Sequence, residues 1–143
     1  LLKSYVDGRH RCCEVIADMR PSFTLAPADL AIEAVYGEIL GALENGWVDR
    51  LQPLWAEFER DLFRHFEEEE RTILADFLAA RPREARLILE EHRYLRDRLM
   101  QLRERLPNVS LVTARTFLDE LRAHAQHEER VLRRWTDSSA PVR

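Results

Sequence analysis

Residues 117–135 read Phe117-Leu118-Asp119-Glu120-Leu121-Arg122-Ala123-His124-Ala125-Gln126-His127-Glu128-Glu129-Arg130-Val131-Leu132-Arg133-Arg134-Trp135. Phe117, Leu121, Val131 and Trp135 recur at steps of three and four, the spacing that places side chains on one face of an α-helix. Carried on from Leu121, the same steps land on His124 and Glu128. An imidazole and a carboxylate thus occupy the two places where the stripe asks for apolar residues.

The pattern repeats upstream. Phe58 and Leu62 lead at the same steps to His65 and Glu69, then to Ile73. A further stripe runs Ala85, Ile88, His92, Leu95, Leu99, Leu102, Leu106, with His92 its one polar member. The earliest stripe is Asp29, Ile32, Tyr36, Ile39, Leu43. Burying a carboxylate without a partner costs several kcal/mol, so buried charges are paired or hold a metal. No Lys or Arg stands on these stripes, which leaves a metal cation as the partner that satisfies both carboxylates and all the imidazoles. Imidazole and carboxylate without thiolate suit iron, manganese or zinc. Structural zinc more often takes cysteines. Five or six ligands exceed what one tetrahedral ion needs, which favours two metals in a bundle core.

Breaks between the stripes delimit four helices. The first is expected from Ala28 to about Glu44, ended by Asn45-Gly46 with glycine as the residue after the cap. The second has Pro53 near its first turn, where the missing N–H costs nothing, and runs to about Ala80. The third spans about Arg83 to Arg105. The fourth is capped by Ser110 or Thr113 and runs to about Trp135. Short connections imply an all-α, up-down-up-down antiparallel four-helix bundle over 28–135. Residues 1–27 form a short N-terminal extension, with one more helix expected over Cys12, Val15, Ile16 and Met19 and ended by Pro21. Residues 136–143 read as a frayed, disordered tail.

Composition agrees. The 143 residues make one domain. They are 45% hydrophobic and 34% charged, with only 4 glycines and 6 prolines, few for an all-β chain. A net charge of −4 gives nucleic-acid binding no support. The adjacent Cys12 and Cys13 make no disulfide framework, which points to a reducing, cytoplasmic setting. No run approaches the roughly 20 apolar residues that span a bilayer, so no membrane role is expected. No signal peptide is visible, and because the chain begins at Leu1 a segment upstream stays open.

The stretches His65-Phe66-Glu67-Glu68-Glu69-Glu70, Glu91-His92-Arg93-Tyr94-Leu95 and His124-Ala125-Gln126-His127-Glu128-Glu129 together resemble the later motifs of the hemerythrin-like, or HHE cation-binding, domain. The resemblance covers roughly residues 28 to 135. It implies a non-haem di-iron centre, oxo- or hydroxo-bridged, with His65, Glu69, His92, His124 and Glu128 as ligands. It also implies a small ligand at the metal such as dioxygen or nitric oxide. The family's first helix opens with a histidine ligand; the matching place here falls near Asp29, which offers a substitute oxygen ligand. That departure weighs against hemerythrin-type oxygen carriage. His10 lies upstream, and nothing in the pattern requires it.

Plainer readings stand beside these. A buried histidine such as His92 often satisfies itself by hydrogen bonds in a core. His65 with Glu69, and His124 with Glu128, can simply bond within one helix. Asp29 after Pro27 is a common helix-start residue. His127, Glu129, Glu67, Glu68, Glu70 and Glu91 read as solvated faces or interhelix ion pairs, with His127 flanking the stripe close to the site. Trp47, Trp55 and Trp135 read as packing, and Tyr36 and Tyr94 as core filling or pocket lining. Three functions follow in order: a metal-binding sensor or carrier of oxygen, nitric oxide, redox state or iron supply; a metal-poor bundle acting as a regulatory or protein-interaction module; and a di-iron oxidase. The enzyme ranks last because the sequence names no general base and no substrate pocket.

Overall fold

The structure, a computed structural model, describes residues 27–138, with side chains from Leu30 onward. The expected N-terminal extension, with His10, Cys12, Cys13 and its short helix, lies outside the described residues, as do 139–143. The described chain is helical throughout, with no strand: α1 (Pro27–Asn45), α2 (Val48–Arg71), α3 (Ile73–Ala80), α4 (Pro82–Arg105) and α5 (Leu111–Ser138). In sequence order α1 packs on α2, the α2–α3 arm on α4, and α4 on α5, while α5 closes the ring against α1. Four antiparallel arms therefore surround one interior, as short connections require.

The helix ends follow local chemistry. Gly46 turns the chain after α1 with φ 68°, a left-handed conformation that glycine adopts without steric cost. Pro82 opens α4 at its first turn. Ser110 caps α5, its Oγ accepting from the Thr113 N–H at 3.1 Å. At the other end α5 runs past Trp135 to Ser138.

The second arm departs from expectation twice. Helix α2 begins at Val48, so Pro53 sits inside it rather than in its first turn. The reason is that Leu51 and Trp55 extend the buried stripe of Phe58, Leu62 and Phe66 upstream of the proline. The arm is also broken at Thr72, where φ −107° and ψ −99° leave the helical region. Thr72 Oγ1 donates back to Glu68 O at 2.6 Å, satisfying a carbonyl at the end of α2.

Two apolar clusters fill the interior. The larger holds Tyr36, Trp55, Phe58, Phe66, Leu95, Leu99, Phe117 and Leu121 among others. Tyr36, Phe58 and Phe117 nest with ring centroids 4.8–6.3 Å apart, close enough for about 0.5–1.5 kcal/mol per pair beyond burial. The Tyr36 hydroxyl donates to Ala114 O at 2.6 Å, tying α1 to the start of α5. The smaller cluster is Leu74, Phe77, Ala85 and Ile88, with Val131, Leu132 and Trp135 against it; no α1 side chain among the described residues belongs to it. Along α4 and α5 the two clusters are separated by one layer holding His92, His124 and Glu128, the buried polar residues of the described chain.

Candidate metal centre

Each helix of the layer brings its polar side chains inward because the stripe that carries them is otherwise apolar. On α4, His92 follows Ile88 and precedes Leu95 and is fully buried. On α5, His124 and Glu128 continue from Phe117 and Leu121 and are 7% and 8% exposed. On α2 the buried stripe ends in Phe66, and His65 and Glu69 stand at its edge, with 19% and 18% of their side chains exposed. The expectation that these two lie within the stripe is corrected to that extent: from Leu62 the helix buries an aromatic ring one step of four away in place of the imidazole one step of three away.

The donor atoms converge. Glu128 Oε2 lies 3.1 Å from His92 Nε2 and 3.0 Å from His124 Nε2. One ligand atom from each of His92, His124 and Glu128 falls within 4.8 Å of the others, the geometry of a group that can hold a metal ion. Glu69 bridges outward from this trio. Its Oε1 pairs with His65 Nε2 at 2.9 Å, and its Oε2 approaches His92 Nε2 to 3.5 Å. The layer so contains His65, Glu69, His92, His124 and Glu128. Asp29 lies in the first turn of α1, and its side chain lies outside the described residues.

The outer ring nitrogens are also held. Glu70 Oε1 lies 2.9 Å from His92 Nδ1, and both oxygens of Glu70 take Arg96, at 2.8 and 3.2 Å. Glu91 places one oxygen on His124 Nδ1 and the other on His127 Nδ1, each at 2.7 Å. Phe66 stacks on the His92 ring at 4.1 Å and 15° and meets His124 edge-on at 5.6 Å. Glu70, Glu91 and Arg96 were not singled out as site residues by pattern. The signal available was their position next to Glu69 and His92, but which imidazole each reaches depends on how the helices cross. Tyr94 does not line the site; it is exposed, its hydroxyl donating to Glu120 Oε1 at 3.1 Å.

Electrostatics state what the layer lacks. Burial pushes the Glu69 carboxyl up to about 7, aided by the Glu128 carboxylate and opposed by His65. Glu69 Oε2 is buried without a hydrogen-bond partner among the described residues, which costs about 1–3 kcal/mol. Burial disfavours charge on His124, yet the bonds to Glu128 and Glu91 outweigh it and raise its pKa to about 9. Burial likewise works against the Glu128 carboxylate, and its imidazole partners hold it well below the ordinary range. An orphaned carboxylate oxygen beside a carboxylate and imidazole nitrogens is what a cation would complete, so the donor set fits a metal.

The family model described as the hemerythrin HHE cation binding domain matches residues 28–136. The curated proteins contain no match to the chain, and neither do the solved structures. Among the described residues no helix is long and apolar enough to cross a membrane.

Proposed function

Since the chain belongs to the hemerythrin HHE cation-binding family, we propose that it is a non-haem iron-binding module whose metal pair binds or senses dioxygen, nitric oxide, redox state or iron supply. The observation that carries this reading is the buried meeting of His92 Nε2, His124 Nε2 and Glu128 Oε2, with Glu69 Oε2, which has no hydrogen bond among the described residues, beside them. His65, Glu69, His92, His124 and Glu128 are the ligands we assign, with Asp29 as the further oxygen ligand from the first turn of α1. Zinc or manganese would suit the same donors.

Iron held by these residues would supply an open coordination position and a change of oxidation state. The chain's own side chains supply the rest. Glu69 and Glu128 would hold the metal through their carboxylate oxygens and offset its charge. Phe66, Leu95 and Leu121 close the main-core side of the layer, and Leu74 and Ile88 belong to the cluster on its other side, which excludes water from most of the donors.

One observation favours the second reading, a metal-poor regulatory or interaction module. The imidazoles and carboxylates bond one another at 2.9–3.1 Å, so much of the layer is satisfied without an ion. Metal analysis of protein purified anaerobically from iron-replete cells separates the two. The iron reading expects about two irons per chain, lost in His92→Ala and Glu128→Ala. About one would mean that half of the site fails for want of the first-helix histidine. Metal-free wild type whose stability the variants do not alter would support the interaction module instead.

A further inference from the structure

We infer that Glu70 and Glu91 are positioning residues of the metal centre: each reaches from a neighbouring helix to hold one ligand imidazole by Nδ1, so that its Nε2 faces the cation. The inference rests on the iron-binding reading above.

Both imidazoles are arranged alike. His92 has Nδ1 on Glu70 at 2.9 Å and Nε2 on Glu128 at 3.1 Å. His124 has Nδ1 on Glu91 at 2.7 Å and Nε2 on the same Glu128 oxygen at 3.0 Å. An imidazole that gives a lone pair from Nε2 keeps its proton on Nδ1. A carboxylate on that nitrogen fixes the ring's tautomer and orientation and raises its basicity as a ligand. The holders come from different helices: Glu70 of α2 grips the α4 imidazole, and Glu91 of α4 grips the α5 imidazole. The layer is thereby linked through three arms of the bundle.

Each holder is itself held. The guanidinium of Arg96 takes both oxygens of Glu70 and lies over the Phe66 ring at 5.4 Å, and Phe66 stacks on His92. This two-point contact fixes the plane of the Glu70 carboxylate. Glu91 is fixed by dividing its oxygens between His124 and His127. An ordinary surface ion pair would contribute little and leave both partners free to rotate. Here the imidazole end of each pair is buried and the other ring nitrogen points at the metal donors.

Cobalt(II) is the probe, added to the full chain of the wild type, Glu70→Gln and Glu91→Gln. Glutamine keeps the size and removes the charge and the pure acceptor character. The expected result is a dissociation constant raised roughly 10–100-fold in each variant, measured by chelator competition at equal helicity. The paramagnetic proton spectrum gives a readout that a merely structural role would not move. In the cobalt-loaded wild type, hyperfine-shifted ring N–H signals of His92 and His124 should exchange slowly with water, and each variant should shift or lose a different one. That wild-type measurement stands even if a variant does not fold, since fast exchange of those protons would overturn the inference by itself. Variants that bind within about threefold of wild type, with both N–H signals unchanged, would overturn it and leave the iron reading standing. A wild type that takes up no cobalt would sink the iron reading and this inference with it.

Discussion

His124 is the residue on which opposing forces meet most directly. Burial disfavours its charge, and the contacts with Glu128 and Glu91 restore it, up to about 9. A histidine whose folded pKa exceeds its ordinary value of 6.5 stabilises the fold fully below 6.5, and that contribution is lost as pH rises through about 9. Glu69, raised from 4.5 to about 7, acts in the same direction, since folding is penalised once its carboxyl must ionise. Glu128, held below its ordinary 4.5, contributes above 4.5 and loses that contribution in acid. The metal-free protein should therefore melt highest near pH 4.5, where Glu128 contributes fully and Glu69 is not yet forced to ionise, and progressively lower towards pH 9 as Glu69 and then His124 lose their protons. A bound cation replaces the His124 proton, so metal-loaded protein should lose that alkaline decline; melting curves against pH with and without iron(II) check both statements. Much of this residue-level picture was legible beforehand: His92, His124 and Glu128 interrupt otherwise apolar stripes, and they are the buried polar groups found. Glu70 and Glu91 were not legible, because a run such as Glu67 to Glu70 does not reveal which member faces a histidine on another helix.

Helix boundaries divide in the same way. Gly46 and Pro82 mark the turns that their backbone chemistry predicts. Pro53 misleads, because a proline near a helix start is more readily placed in the first turn than inside. Its ring removes the N–H that would bond Asp49 O. Pro53→Ala should therefore raise the unfolding free energy, by about 1 kcal/mol or more, read from urea denaturation. Ser110→Ala should lower it by about 1 kcal/mol, since the Thr113 N–H loses its acceptor. The Thr72 break carries no glycine or proline to announce it; its only local signal is the β-branched pair Thr72-Ile73, and the cause is tertiary. Downstream of Thr72 the arm packs Leu74 and Phe77 onto Ala85 and Ile88, a different surface from the one that Phe58, Leu62 and Phe66 meet. That same demand explains why His65 and Glu69 stand at the margin of their stripe while Phe66 takes the interior.

The described residues form a large core and a small one, with the layer of His92, His124 and Glu128 between. The small cluster rests on an eight-residue helix, α3, and on the ends of α4 and α5, so it has little apolar area with which to resist opening. A metal held as we propose would join residues of α2, α4 and α5, the elements that adjoin this cluster. Removing metal should thus accelerate amide hydrogen exchange in α3 more than at Phe58, Leu99 or Phe117, and adding iron(II) should reverse the effect. The main core should keep its protection in both states. Glu91 has a consequence of another kind. Its two oxygens grip His124 and His127, which stand less than one turn apart on α5, so the carboxylate acts as a spline between two shafts. Extra length in the connection from Leu106 to Ser110 leaves that engagement intact, since the turn absorbs the added residues and α5 keeps its setting against α4. A single residue added within α5 between Leu121 and His124 would rotate the far half of the helix by about 100°, and both teeth would leave the groove at once. A change of length is thereby tolerable in the turns and not within α5, which behaves as a machined part with one angular setting.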